Sequence, residues 1–417
     1  MTRSSRTNNL GSGGSRSSKA RWARRAIVVA ILGSGAFLGF GALGAFAPPA
    51  PNSFVVFAWN DLGMHCMNED FSEMMILPPF NTVRAQVIDR THGSPEIVGS
   101  GVTVRYRIPS NTHSSDKTNF WQYSEQLFGV ALQPDVGLAG NGLSGVMAPH
   151  YNPATRVRDF EAVGIPITPV DDAGREDPYP LATITVEQGG QIVAVTQTVV
   201  PVSWEISCNL CHVTPGITVA TDILRKHDAL HGTQLEAHKP VNCSSCHSDP
   251  ALGAPGQPGV SSMSAAMHGS HATRMGPVQN LVSECYACHP GVRTNCQRDV
   301  HMARGMTCVS CHGGMAEVGN PARTPWVTEP RCADCHQARQ PTFQFEQPGV
   351  LFRDATGHGG VKCITCHGSP HAMGPATTAT DNLQAIRLQG HAGVINTCTT
   401  CHSSTPSDPF PHRGDDD

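Results

Sequence analysis

Charged side chains make up only 15% of this 417-residue chain, and aromatic ones only 6%. The shortage is uneven. Residues 205–417 hold six aromatics, too few large apolar side chains for so long a segment to fill a core of its own. Residues 52–204 hold one cysteine, Cys66, which excludes a disulfide framework within that stretch. Acidic residues are missing from residues 1–25, which carry seven Lys and Arg. Beyond residue 25 the balance reverses to 22 basic against 33 acidic groups, a net of −11. That balance excludes nucleic acid as a partner and favours basic protein surfaces. What is plentiful is 42 glycines, 32 prolines, 16 cysteines and 21 histidines. These imply irregular backbone and many soft metal-binding groups.

The basic stretch 1–25 precedes an uncharged apolar run, Ala26–Ala47. A basic flank before such a run is an export signal, with the positive end left in the cytoplasm. Ala45-Phe46-Ala47 has the small-residue spacing of a cleavage site, Pro48 opposes cleavage there, and the run is long enough to span a bilayer. Residues 26–47 are read as a signal peptide or a membrane anchor. All that follows is expected in the periplasm or at the cell surface.

Two halves of different character follow. Residues 52–204 hold 14 aromatics and recurrent β-branched runs, FVVFAW (54–59), TVRAQVID (82–89) and GVTVRYRI (101–108). The stretch 182–200 predicts a hairpin turning at Gly189-Gly190, and 119–129 predicts a short helix stopped by Gly129. This half is expected to be a β-rich, sandwich-like domain. Residues 205–412 are expected to be mostly irregular with short helices, ending in an acidic tail at 413–417.

Seven times the second half spells Cys-x-x-Cys-His. The motifs are Cys208, Cys211 and His212; Cys243, Cys246 and His247; Cys285, Cys288 and His289; Cys308, Cys311 and His312; Cys332, Cys335 and His336; Cys363, Cys366 and His367; and Cys398, Cys401 and His402. This spacing is the attachment signature of c-type haem: two thiols form thioethers with one porphyrin, and the adjacent His ligates the iron. Zinc ribbons have no need of a His after each pair, and a thiol–disulfide centre needs a βαβ surround. Seven covalently bound haems would themselves supply the missing core of residues 205–412. So dense a set brings haem edges close enough to pass electrons from one to the next.

Outside the motifs this half holds ten more histidines: His227, His231, His238, His268, His271, His301, His358, His371, His391 and His412. Seven irons with two axial histidines each need seven of them. Residues 221–232 read as a helix capped by Thr221 or Asp222 and stopped by Gly232, with His227 and His231 on one face. Methionines such as Met267, Met302 and Met306 are read as packing residues. Lys239, Arg293 and Arg304 are read as partners of haem propionates.

The runs GHGGVKCITCHGSPHA (357–372), LQGHAGVINTCTTCH (388–402), AMHGSHA (266–272) and RGMTCVSCHG (304–313) resemble bacterial multihaem c-type cytochromes of respiratory and extracellular electron-transfer systems. WNDLGMHCMNEDF (59–71) and ILPPFNTVRAQV (76–87) resemble a β-domain that accompanies such haem segments. The resemblance implies an N-terminal β-rich sandwich-like domain followed by a haem-packed, mostly irregular multihaem cytochrome c domain with short helices. It places His227, His268, His271, His358, His371 and His391 where such proteins carry distal histidines. His301 is added as a seventh, His412 is held in reserve, and His231 and His238 are surplus.

Cys66 and Cys296 remain. Met64, His65, Cys66 and Met67 form a soft cluster able to take copper; otherwise Cys66 is a buried thiol or forms a disulfide with Cys296. Two functions fit the whole. One is an electron carrier working between redox proteins, such as cytochromes or a membrane oxidoreductase, alone or in a higher assembly. The other is a multihaem oxidoreductase converting a small nitrogen or sulfur compound at one haem with an open axial site.

Overall fold

The computed structural model describes residues 54–409 apart from residues 93 and 277, and residue 412. The expected basic region 1–25, the apolar run 26–47 and the acidic tail 413–417 lie outside the described residues. Among the described residues no helix is long and apolar enough to cross a membrane.

The first half is built on β1 (Phe54–Asn60), β2 (His65–Cys66), β3 (Met74–Met75), β4 (Asn81–Asp89), β5 (Glu96–Val98) and β6 (Thr103–Arg107). It continues through α1 (Phe120–Phe128), β7 (Ser144–Val146), β8 (Ala148–Asn152), β9 (Val157–Ile165), β10 (Leu181–Gln188), β11 (Gln191–Val199) and β12 (Val202–Ser203). One sheet runs β1-β4-β9-β8, with β5 also on β4; the other runs β11-β10-β6-β7. Within both sheets the neighbours are antiparallel. Val56, Val83, Ala85 and Phe160 of the first sheet and Val104, Tyr106, Ile184 and Val186 of the second share one apolar core. The β10–β11 hairpin turns at Gly189 and Gly190, both at positive φ, as its two-glycine turn predicts. Gly129 ends α1 in the left-handed region.

Strand β1 explains how the halves meet. All seven of its residues are buried. Side chains alternate along a strand, so Phe54, Val56 and Ala58 face the sandwich core while Val55, Phe57 and Trp59 face the other way. There they pack with Ile88 and with Ile364 of the second half, beside Phe352, Val361, Leu388 and Ile395. The described residues of the two halves accordingly belong to one compact unit.

The second half contributes α2 (Val219–His231), β13 (Val241–Asn242), α3 (Met263–Ala272), α4 (Cys308–His312), α5 (Met315–Val318), α6 (Cys332–His336), α7 (Cys363–His367) and α8 (Leu383–Gln389), joined by irregular backbone and single 3₁₀ turns. β13 pairs in parallel with β3 of the first half. Helix α2 starts earlier than its sequence suggests: Thr218, not Thr221 or Asp222, caps it by accepting from the Thr221 N–H at 3.0 Å. Beyond residue 204 the buried apolar side chains are Leu224, Ala287, Ala355, Ile364, Ala372 and Ala376, four of the six being alanine. None of them joins the sandwich core. Local helical turns, and not an apolar interior of its own, give this half its order.

Candidate haem-binding sites

Each motif folds as one helical turn. Sites are numbered 1 to 7 by motif order. At sites 4, 5 and 6 the whole pentapeptide is α-helical, as α4, α6 and α7. At the other four the histidine N–H donates to the carbonyl of the first cysteine: His212 to Cys208 at 2.9 Å, His247 to Cys243 at 3.0 Å, His289 to Cys285 at 2.8 Å and His402 to Cys398 at 2.9 Å. An i to i−4 turn brings both thiols and the imidazole to one side of the backbone. All sixteen cysteines are free thiols.

Every motif histidine faces a second histidine. The ring-centroid separations are 6.5 Å for His212–His271, 6.3 Å for His247–His227, 6.0 Å for His289–His268 and 6.1 Å for His312–His371. They are 6.2 Å for His336–His301, 5.9 Å for His367–His412 and 5.8 Å for His402–His358. A metal–imidazole bond of about 2.0 Å, with roughly 1.1 Å from that nitrogen to the ring centroid, sets two imidazoles on opposite sides of one ion about 6.2 Å apart. All seven separations lie close to that value.

Six of the fourteen rings are also held through Nδ1 by a carbonyl or a carboxylate. The Nδ1–H groups of His268, His271, His247 and His412 donate to the carbonyls of Ser264, Met267, Ser261 and Gln344 at 2.7, 2.7, 2.8 and 3.0 Å. His212 Nδ1 bonds Asp222 at 3.2 Å and His301 Nδ1 bonds Asp299 at 3.1 Å. A carbonyl only accepts, so these contacts fix the proton on Nδ1 and leave the Nε2 lone pair for a metal. Burial pushes the imidazoles of His289, His312 and His367 down to about 4, which keeps them neutral and able to ligate. Beside Cys311 and His312 a cavity of about 370 Å³ opens, lined also by Arg323 and Glu329. Among the described residues no group of three or more His, Cys, Asp or Glu side chains converges on a metal-ion position. Paired histidines beside paired thiols, with few buried apolar side chains around them among the described residues, are a donor set that would fit a porphyrin iron.

Six of the seven second histidines expected from the sequence stand in these pairs: His227, His268, His271, His301, His358 and His371. His391, also expected there, stands outside these pairs. It is exposed just past the Gly390 stop of α8, its Nδ1 turned onto the Ala392 carbonyl at 3.0 Å. His412, the reserve, faces His367 instead. Gln344 N–H donates to the His412 carbonyl at 2.8 Å, and the Phe343 ring stacks on the His412 imidazole at 5.2 Å. His231 lies 4.8 Å from the His227 ring, and exposed His238 turns its Nδ1 onto Gln234.

Two of the cations read as propionate partners have protein partners in the structure. Lys239 instead bonds Glu73 and Thr221, tying the halves together, and Arg293 reaches Glu176 at 3.7 Å. Arg323, in the cavity at site 4, carried no sequence signal.

The leftover cysteines are not joined to each other. The copper cluster does not converge either: Met67 is buried in the sandwich core, and His65 Nε2 sits 2.8 Å from Pro78 O and 3.1 Å from Phe80 N. Cys296 instead touches a paired histidine, its Sγ 3.7 Å from His371 Nδ1. His371 has left-handed backbone, φ 60°, and is clamped on both sides. Arg298 N–H donates to its carbonyl at 2.7 Å. The buried Arg298 guanidinium reaches Asp381, Cys296 O and, at 2.8 Å, Gly63 O of the first half. Gly63 itself lies against Pro370 and His371.

A scan of protein-family models finds no match to this chain, and neither does a search of curated proteins or of solved structures.

Proposed function

We propose that this chain is an exported heptahaem c-type cytochrome that transfers electrons between redox partners in the periplasm or at the cell surface. The observation that carries the reading is the set of seven Cys-x-x-Cys-His turns, each facing a second histidine at 5.8–6.5 Å between centroids. The fourteen motif cysteines would hold seven haems covalently, and the seven histidine pairs would fill both axial positions of each iron. When bound, haem supplies reversible one-electron chemistry at iron. The protein's part is to fix the ligand rings through Nδ1, to limit water around them, and to set the charge nearby. Partners are other redox proteins, either cytochromes or a membrane oxidoreductase. The open-site oxidoreductase needs one motif histidine without a second histidine opposite it, and all seven have one.

The test is haem quantitation on purified full-length protein together with EPR of the oxidised sample. Seven haems per chain, all low-spin and unresponsive to nitrite or hydroxylamine, are expected. A haem count below seven, or one stoichiometric high-spin iron that binds such a ligand, overturns the carrier reading.

A further inference from the structure

Motif order along the chain does not decide which histidine pair stands next to which; the segments that support the pairs do. Helix α2 serves sites 1 and 2 together: Asp222 accepts from His212 of site 1, and His227, five residues on, faces His247 of site 2. Helix α3 serves sites 1 and 3, since His271 faces His212 and His268, three residues earlier, faces His289. Motifs 1 and 3 also touch directly, Ser207 N–H donating to the Ala287 carbonyl at 3.2 Å. Site 4 joins at the same helix. Gly319, just past α5 and seven residues beyond His312, packs so closely on α3 that a Cβ there would lie 2.4 Å from Gly269 N. Gly269 sits between the two ligand histidines of α3.

From site 4 the connections lead on to sites 5 and 6. Arg298 N–H donates to His371 O at 2.7 Å and Val300 N–H to Met373 O at 3.1 Å, which sets His301 of site 5 beside His371 of site 4. Rings then run from site 5 to site 6: His336 to Phe345 at 6.4 Å, Phe345 to Phe343 at 6.3 Å, and Phe343 to His412 at 5.2 Å. Site 4 also meets site 6 through the short tether from His367 to His371, where Gly374 N–H donates to His367 O at 2.9 Å. Site 7 attaches to site 6: Ile395 N–H donates to Cys366 O at 2.9 Å, and His358 precedes Cys363 by five residues. Its other close neighbour is the first half, where Arg90 donates to the carbonyls of Thr399 and Thr400 at 3.1 and 2.7 Å.

We infer that the seven sites stand in the spatial order 2-1-3-4-5-6-7, with 4, 5 and 6 drawn together, so that the pairs His227/His247 and His358/His402 are the two ends. This rests on the seven-haem reading and adds to it which sites are direct neighbours: site 1, although first in the chain, stands between sites 2 and 3.

The test is an experimental structure of the haem-loaded full chain with its irons located by anomalous scattering. The expected result places the site 1 iron between those of sites 2 and 3, and gives the site 7 iron a single iron neighbour, that of site 6. Site 1 at an end, or site 2 between two others, overturns the order and leaves the seven-haem reading standing. Fewer than seven irons, or irons away from the histidine pairs, overturns the reading itself. A solution measurement bears on the same point. His227→Met should raise the midpoint of its own iron and shift one other, whereas His371→Met should shift more than one other. A His227→Met protein that shifts two or more other irons overturns the order.

Discussion

Gly63→Ala tests whether the first half holds a haem ligand in place. Gly63 has φ +86°, and a Cβ built there would lie 2.3 Å from Pro370 O and 3.0 Å from His371 Nδ1. Two costs add. Left-handed backbone costs an alanine about 1–2 kcal/mol relative to glycine. Carbon and oxygen in ordinary contact sit about 3.4 Å apart, so the Pro370 backbone must retreat by about 1 Å, an overpacking that costs about 1–3 kcal/mol. The loop cannot move freely, because Arg298 ties Gly63 O and His371 O to one segment. The strain must pass to the His371 ring. A loss of about 3 kcal/mol is expected in denaturant unfolding, together with a shifted EPR signal from one iron in seven. Gly129→Ala is the matched control. It too has positive φ, +72°, but nothing lies within 4 Å of its Cβ, so it should cost about 1 kcal/mol and leave every haem signal unchanged. A Gly63→Ala protein as stable as wild type, with all seven low-spin signals in place, would refute the clamp.

Three further outcomes are expected. His412→Ala should turn one low-spin haem in seven high-spin in the optical and EPR spectra, and His391→Ala should turn none; the reverse pattern would restore the ligand read from the sequence. Lys362 and Asp159 form a fully buried ion pair at 2.5 Å, so Lys362→Met leaves the Asp159 carboxylate with only Arg84, at 3.5 Å, and His150, at 2.5 Å, and should cost about 3 kcal/mol in urea unfolding, with Asp159→Asn added to it recovering part of the loss. Burial pushes His65 down to about 4 from 6.5, so the unfolded chain takes up its proton first as pH falls. This contribution is full above about pH 6.5 and is lost progressively down to about pH 4, roughly 3 kcal/mol in all, and His65→Gln should flatten that part of a pH–stability curve.

The local parts of the molecule were legible where a residue type has one structural use. Two adjacent glycines fixed the β10–β11 turn, Gly129 stopped α1, and each Cys-x-x-Cys-His pentapeptide stands at a helical turn. Strands β7 to β9 went unread because residues 144–165 mix Gly, Pro and charge with short apolar stretches, and only pairing with β4 and β6 makes them a sheet. FVVFAW was readable as strand, yet nothing in it says that Ile364, some 300 residues away, covers its second face. The choice between His391 and His412 is of the same kind. His391 sits at a familiar distance before a motif, whereas His412 qualifies only once the C-terminal segment lies on Gln344. Spacing identifies what a residue can bind, and tertiary contact decides what it faces.

That dependence on tertiary contact gives the β-half its role. The second half has six buried apolar side chains, so its own packing cannot fix where seven ligand pairs stand. The first half supplies the reference frame, and its ties fall along the whole series of sites. At site 2, β3 pairs with β13, and Glu73 holds Thr221 and Lys239. Beside site 3, Glu205 at the junction accepts from the Val292 and Thr294 N–H groups at 2.8 and 2.7 Å. At site 4, Gly63 backs His371; at site 6, Phe57 and Trp59 cover Ile364 within the motif; at site 7, Arg90 holds Thr399 and Thr400. A sandwich with its own dense core is stiff, and a loop segment fastened to it at intervals inherits that stiffness. On the proposed electron-carrier reading the β-half keeps the spacing of neighbouring sites constant, and that spacing is the quantity on which transfer between them would depend most steeply.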